Sequence, residues 1–285
     1  MNNKILLCTD LDRTILPNGY QLESRDARPL LRRIAAHPEL RLAYVSGRHK
    51  DLILEAIREY EIPLPDYSIG DVGTTLYEIG RDGSWVSSAA WEQEIGREWH
   101  GMKADQFAAL FGGIDSLRLQ EPGKQNNFKL SFYVPEKTDI GALRQEMSNR
   151  LAFKGLKANI ITSIDEMNHI GLVDVLPENA SKLHAIEFLI RKKGFSRART
   201  VFAGDSGNDF EVLISGIQSV LVKNADDILR AEVSAVVRET GDSKSLYLAT
   251  GGFFGLNGNY SGGVLEGLAH FLPETENWFT DGAAG

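Results

Sequence analysis

A single cysteine in 285 residues excludes an internal disulfide framework and suits a reducing compartment. Basic residues are in deficit. Thirty-one lysines and arginines stand against 39 aspartates and glutamates, a formal net charge of -8 that argues against a nucleic-acid partner. The deficit leaves room for a small anionic substrate, because one bound cation inverts a local field. Long apolar runs are missing as well. The segment Lys4 to Thr9 stops at Asp10, no small-residue cleavage pattern follows it, and no later run approaches membrane length. A cytoplasmic protein with no membrane association is expected. The six histidines show no metal-ligand spacing, and there are no internal repeats or long low-complexity tracts. The glycines of 251–258 do not open a βαβ unit and lack a following ribose-binding acid, which excludes a dinucleotide fingerprint.

What is present is an ordinary globular composition, 42% hydrophobic and 25% charged, in a chain long for one compact domain and short for three. Ile5-Leu6-Leu7-Cys8 is continuously apolar, which predicts a strand buried on both faces of a parallel sheet. Ser24 to Ala36 carries Ala27, Leu30, Leu31 and Ile34 on one helix face, Leu40 to Val45 is a second buried strand, and a helix follows over Lys50 to Tyr60. That order is the mark of an α/β sheet with right-handed crossovers. From Ala89 to Leu176 the pattern changes. Helices near Ala104–Phe111 and Ile140–Leu151 flank the alternating run Phe128 to Val134, which predicts a sheet with one solvated face, and strands follow near Ala158–Ile161 and Gly171–Val175. The α/β pattern resumes with a helix from Ser181, a fitting N-cap, to Lys193, strands at Thr200–Ala203 and Ser219–Val222, a short helix over Asp209–Ile214 and a last helix over Gly262–Phe271. The expected fold class is α/β: a Rossmann-like core with a parallel sheet over 1–88 and 177–285, and an inserted α+β cap over 89–176. The segment Gly251 to Gly263, with six glycines, reads as a loop.

Four polar features fall at strand C-termini or helix starts, where open α/β sheets place ligand sites. Asp10 and Asp12 share one side of an extended backbone. One carboxylate of such a pair can attack phosphorus and the other can move a proton, although an isolated D-x-D reads equally as solvated turn aspartates. Ser46-Gly47-Arg48 can hold a phosphate through hydroxyl and backbone N–H groups, or simply cap a helix. Lys182 sits in the first turn of its helix, where the dipole disfavours a cation and a transferring phosphoryl group would welcome one. Gly204-Asp205-Ser206-Gly207-Asn208-Asp209 concentrates hard oxygen ligands suited to Mg2+ behind an apolar strand.

In this order the residues resemble the four motifs of the haloacid dehalogenase superfamily of phosphatases, with a cap placed as in its Cof-type branch. Val45-Ser46-Gly47-Arg48, Asp71-Val72-Gly73-Thr74, Lys129-Leu130-Ser131-Phe132-Tyr133, Lys223-Asn224-Ala225 and Gly262 to Leu268 extend the resemblance to the sucrose-phosphate phosphatases and related glycosyl-phosphate phosphatases. It covers nearly the whole chain. It implies a Mg2+-dependent phosphatase acting on a small phosphorylated sugar through an aspartyl-phosphate. Asp10 is then the nucleophile and Asp12 the acid/base. Asp10, the Asp12 carbonyl and Asp205 hold Mg2+, with Asp209 ordering its waters or ligating directly. Ser46, Gly47 and Lys182 grip the phosphoryl group. Arg48, Asn208, Lys129 and Ser131 are candidates for substrate contact, and Asn126 a weaker one. Sucrose 6-phosphate leads the substrates, with mannosylfructose phosphate and glucosylglycerol phosphate behind it. A phosphosugar mutase and a phosphosugar-binding regulator are the rivals. The sequence departs from the pattern at Arg13, where many relatives have a small or amide residue, and in the Gly-rich segment. Cys8 reads as core, and Trp85, Trp91 and Trp99 read as packing around the cap entry rather than as sugar platforms.

Overall fold

The structure, a computed structural model, describes residues 4–165 and 168–280. It forms two compact units, one from Met1–Ser87 with Lys182–Gly285 and one from Ser88–Ser181.

The first unit begins β1 (Ile5–Thr9), α1 (Ala27–Ala35), β2 (Leu40–Val45), α2 (Lys50–Glu59), β3 (Tyr67–Gly70), β4 (Thr75–Ile79) and β5 (Trp85–Ser87). The second holds α3 (Ala89–Gly96), α4 (Ala104–Ala108), β6 (Arg118–Leu119), β7 (Leu130–Pro135), α5 (Ile140–Phe153), β8 (Ala158–Asp165) and β9 (Ile170–Pro177). The chain returns to the first unit through α6 (Lys182–Lys193), β10 (Thr200–Gly204), α7 (Phe210–Leu213), β11 (Gln218–Leu221), α8 (Asp227–Glu239), β12 (Leu246–Leu248), α9 (Ser261–Phe271) and α10 (Asn277–Thr280).

The larger sheet has the order β12-β11-β10-β1-β2-β3-β4-β5. It is parallel from β12 to β3, and β4 and β5 add antiparallel strands at one edge. β1 and β10 are buried along their whole length, as their unbroken apolar sequences require of strands covered on both faces. α1 lays Ala27, Leu31 and Ile34 into the core. α9 is buried from Ser261 to Ala269 and lies so close to β11 that a side chain at Gly267 would collide with Val220. The same core takes in Leu11, Ile15 and Leu16, so the loop after β1 is anchored by its apolar residues while its polar ones stay at the sheet's C-terminal end.

A helix and a strand differ from their expected form. The helix at Ala104 ends at Ala108 and tightens into a 3-10 turn through Phe111, and the strand at Ala158 runs on to Asp165. α8, which sequence reasoning missed, buries Leu229, Val233 and Val237 at a spacing of four, a helix signal in plain view.

The second unit packs α5, through Leu143, Met147 and Leu151, with an antiparallel sheet of order β6-β7-β9-β8. Phe132 on β7 meets Phe111 edge-on. The opposite face of β7 is not open to solvent at its centre, contrary to the alternation. Ser131 is fully buried because the side chain of Gln125 brackets its backbone, accepting from its N–H at 2.7 Å and donating to its carbonyl at 2.8 Å. Trp85 meets Tyr77 edge-on in the larger sheet, whereas Trp91 and Trp99 are fully buried in the second unit, Trp99 stacking on Phe107. No helix among the described residues is long and apolar enough to cross a membrane.

Candidate active site

Asp10 directly follows β1, and its N–H still donates to the Ala203 carbonyl at 2.9 Å, so the nucleophile candidate is held on the sheet rather than on a free loop. One carboxylate oxygen accepts from the Leu11 N–H at 2.7 Å and the other lies 3.1 Å from Lys182 Nζ. Lys182, in the first turn of α6, also donates to Asp209 Oδ1 at 2.7 Å and Asn208 Oδ1 at 2.9 Å. Asp209 Oδ2 accepts from the N–H groups of Asp205 and Ser206 and so closes the turn after β10. Asp205 is reached from the first loop: Thr14 Oγ donates to it at 3.0 Å, and Arg13 Nε lies 3.6 Å away. Asp10, Asp205, Asp209 and Lys182 are all buried.

Asp12 has different surroundings. Its carboxylate is nearly half exposed and is gripped side-on by Arg48, Nε to Oδ2 at 2.9 Å and a terminal nitrogen to Oδ1 at 2.7 Å, with Asn18 donating at 2.7 Å. Ser46 directly follows β2, fully buried, its Oγ accepting from the Arg48 N–H at 3.2 Å. A cavity of about 310 Å3 lies over these groups, lined by Asp10, Asp12 and Asp205, with Arg13 and Arg48 beside them and Gly47 and Asn208 at its edge. The structure thus gathers Asp10, Asp12, Ser46, Gly47, Arg48, Lys182, Asp205, Asn208 and Asp209 at one end of one sheet. Lys129 and Ser131 belong to the second unit, where the Ser131 hydroxyl donates to Asp174 at 2.5 Å.

The electrostatics separate the two N-terminal aspartates. Burial, reinforced by Asp209 and Asp205, outweighs Lys182 and the Leu11 N–H and pushes Asp10 up to about 7. Burial and Asp209 raise Asp205 to about 6. For Asp12 partial burial is overcome by the hydrogen bonds and charge of Arg48, with help from Asn18, and its pKa falls below the usual carboxylate range. Burial opposes the charge on Lys182, yet Asp10 and Asp209 raise its pKa above that of an ordinary lysine. Three buried carboxylates sharing one ammonium leave an excess of negative charge. One oxygen from each of Asp10, Asp205 and Asp209 lies within 4.8 Å of the others, a donor set that fits a small hard dication.

Four residues to which sequence reasoning gave no role hold this site: Thr14, Asn18, Asn224 and Tyr260. Asn224 donates to the Arg13 carbonyl at 2.6 Å and accepts from the Tyr260 N–H at 2.8 Å, joining the first loop to the Gly-rich segment. Asn257 and Asn259 both donate to the Leu22 carbonyl, so that segment braces the loop bearing Asp12.

Comparison with known proteins places this geometry. The family described as sucrose-6F-phosphate phosphohydrolase matches residues 3–272. A protein of Nitrosococcus oceani described as HAD-like is 55% identical over 99% of this chain and 76% of its own length. A sucrose-phosphatase of Nicotiana tabacum is 30% identical over 79% of this chain, which spans about half (52%) of that relative. A mannosylfructose-phosphate phosphatase of Agrobacterium fabrum is 28% identical over 93% of this chain and 96% of its own. Among solved structures, the sucrose-phosphatase of Synechocystis in complex with sucrose and phosphate shares the fold at a TM-score of 0.69 and 24% identity, covering 94% of this chain and 98% of the other.

Proposed function

We propose that this chain, which belongs to the sucrose-6F-phosphate phosphohydrolase family, is a Mg2+-dependent phosphatase that hydrolyses a glycosyl-sugar phosphate through an aspartyl-phosphate on Asp10. The observation that carries the reading is the buried Asp10 carboxylate, fixed at the end of β1 with one oxygen against Lys182 and the cavity in front of it.

Asp10, Asp205 and Asp209 would hold Mg2+ with the Asp12 carbonyl, and the ion would offset charge on the phosphoryl oxygens. Lys182 supplies a second positive charge, and the Ser46–Gly47 turn offers a hydroxyl and an exposed backbone N–H. Asp10 attacks phosphorus and the bond to the sugar oxygen breaks. Asp12 donates the proton that the departing oxygen needs. At rest Arg48 keeps Asp12 ionised, and the arriving phosphate dianion competes for Arg48 and favours a proton on Asp12. Water then attacks the phosphoryl group, Asp12 takes its proton, and phosphate leaves with Asp10 restored. Arg48 and Asn208 line the cavity with Asp10 and are proposed as substrate contacts, and Lys129 and Ser131 remain candidates for the sugar.

Sucrose 6-phosphate is the leading substrate, supported by the family and by the sucrose-phosphatase relative. Mannosylfructose phosphate, the substrate named for the Agrobacterium relative, comes next, followed by glucosylglycerol phosphate. The deciding experiment measures phosphate release from a panel of these esters by the wild type and by Asp10→Asn, with and without EDTA. Release that needs both Asp10 and the metal supports the reading, and turnover retained in Asp10→Asn ends it. An isomerised sugar phosphate without free phosphate would point to a mutase instead.

A further inference from the structure

The corner Asp71-Val72-Gly73 between β3 and β4 has no place in the mechanism above. All three residues have positive φ, 50°, 58° and 97°. Gly73 adopts this without steric cost, but for a β-branched residue such as Val72 the left-handed region is a genuine outlier. Successive left-handed residues turn their N–H groups to one side, and here the two go to the phosphate turn. Asp71 donates to the Arg48 carbonyl at 3.0 Å and Val72 to the Ser46 carbonyl at 3.2 Å. Thr74 locks the corner from behind, its N–H and hydroxyl both donating to the Asp71 carbonyl. The backbone of β3 approaches so closely that a Cβ at Gly70 would lie 2.9 Å from the Arg48 carbonyl. A relaxed turn would withdraw both donors and leave Ser46-Gly47-Arg48 tied to β3 only through the Ser46 N–H, which donates to the Ile69 carbonyl at 2.9 Å. The residue so held is the one whose guanidinium grips Asp12 side-on.

We propose that the left-handed corner Asp71–Gly73 is a positioning element for the reaction: it fixes the Ser46–Arg48 turn and, through Arg48, the placement of Asp12. This rests on the phosphatase reading with Asp12 as proton donor to the leaving oxygen. The consequence is specific to the leaving group. A sugar alkoxide needs that proton, whereas nitrophenolate does not.

The test compares kcat for a glycosyl phosphate with kcat for p-nitrophenyl phosphate, both with Mg2+. Val72→Pro forces φ to about -65° and removes the N–H that reaches Ser46. It lowers the ratio of the sugar-phosphate kcat to the nitrophenyl kcat about tenfold or more, a fraction of what a general acid supplies, beyond any loss at the Ser46–Gly47 phosphate grip that both substrates share. Val72→Asn, a side chain that tolerates the left-handed region, keeps the wild-type ratio and raises Tm. Equal losses on both substrates, or an unchanged sugar-phosphate rate in Val72→Pro, would overturn the proposal, as would a shifted ratio in Val72→Asn. Should Val72→Pro not fold, the same ratio read on Gly73→Ala decides. A folded wild type that hydrolyses neither ester would fail the phosphatase reading itself.

Discussion

Binding of Mg2+ should depend steeply on pH, because two of the carboxylates that would hold it, Asp10 and Asp205, are reluctant to ionise. With Asp10 at about 7 and Asp205 at about 6, roughly nine molecules in ten have both ionised at pH 8, and about one in twenty at pH 6. The apparent Mg2+ affinity should therefore fall about twentyfold between those pH values, or about 1.8 kcal/mol. Calorimetric titration in buffers of different ionisation enthalpy also counts protons. About 1.4 should leave per Mg2+ at pH 6 and about 0.1 at pH 8. The stability of the metal-free protein carries the matching sign. Both groups are raised above their unfolded values, so their contribution is fully present below about pH 4 and is lost as pH rises through 6 to 7. In EDTA, Tm should fall across that window, and saturating Mg2+ should reverse the trend. In Asp10→Asn only Asp205 still titrates, and the affinity change should shrink to about twofold. A wild-type affinity constant from pH 6 to 8, with no protons released, would refute the charge argument.

Lys182→Ala removes the one ammonium shared by the buried acids, and breaking a buried ion pair from one side costs about 3–5 kcal/mol. Urea unfolding at pH 8 in EDTA should show that loss and Mg2+ should recover part of it; an unmoved midpoint would count against the pairing. Glu266→Gln alters a buried carboxylate that accepts from Tyr247, Thr250 and the Gly251 N–H. Urea titration should reveal a loss of about 1–3 kcal/mol, and a wild-type midpoint would show that the Gly-rich segment does not depend on this anchor.

Much of the larger sheet was legible because a strand covered on both faces must be almost wholly apolar, and the runs Ile5 to Cys8, Leu42 to Val45 and Val201 to Ala203 satisfy that without reference to the rest of the chain. The chemical residues were legible for a related reason: they sit in the first positions after such strands. Local pattern fails where a long-range partner decides. Nothing near Ser131 says that Gln125 will cover it, and the alternating run therefore reads as a solvated face. Asp12 finds Arg48 36 positions away, Asp205 finds Thr14 across 191, and the Arg13 carbonyl finds Asn224 across 211. The Arg48 pairing lowers Asp12, whereas burial raises Asp10 and Asp205 against the opposing pull of Lys182 and Thr14, so the opposite shifts come from surroundings that no local pattern reports. The left-handed backbone at Val72 was hidden for a different reason, since valine is among the last residues from which positive φ would be inferred.

The pairing of charges also explains why metal and substrate should depend on each other. Three cations beside the cavity are already committed to acids: Lys182 to Asp10 and Asp209, Arg48 to Asp12, Arg13 to Asp205. A phosphate dianion entering this arrangement meets carboxylates whose counter-charges are engaged, and must compete for each one. A dication among Asp10, Asp205 and Asp209 would relieve Lys182 and Arg13 of their partners without moving them. Their charge would then become available to phosphoryl oxygens at the positions the acids have set. Coupling of this kind is reciprocal, so bound phosphate would tighten the metal by the same factor that the metal tightens phosphate. On the proposed reading the acids of the site would have a second role beyond ligation and attack, since by holding the cations in place they would preorganise the positive field that a transferring phosphoryl group requires.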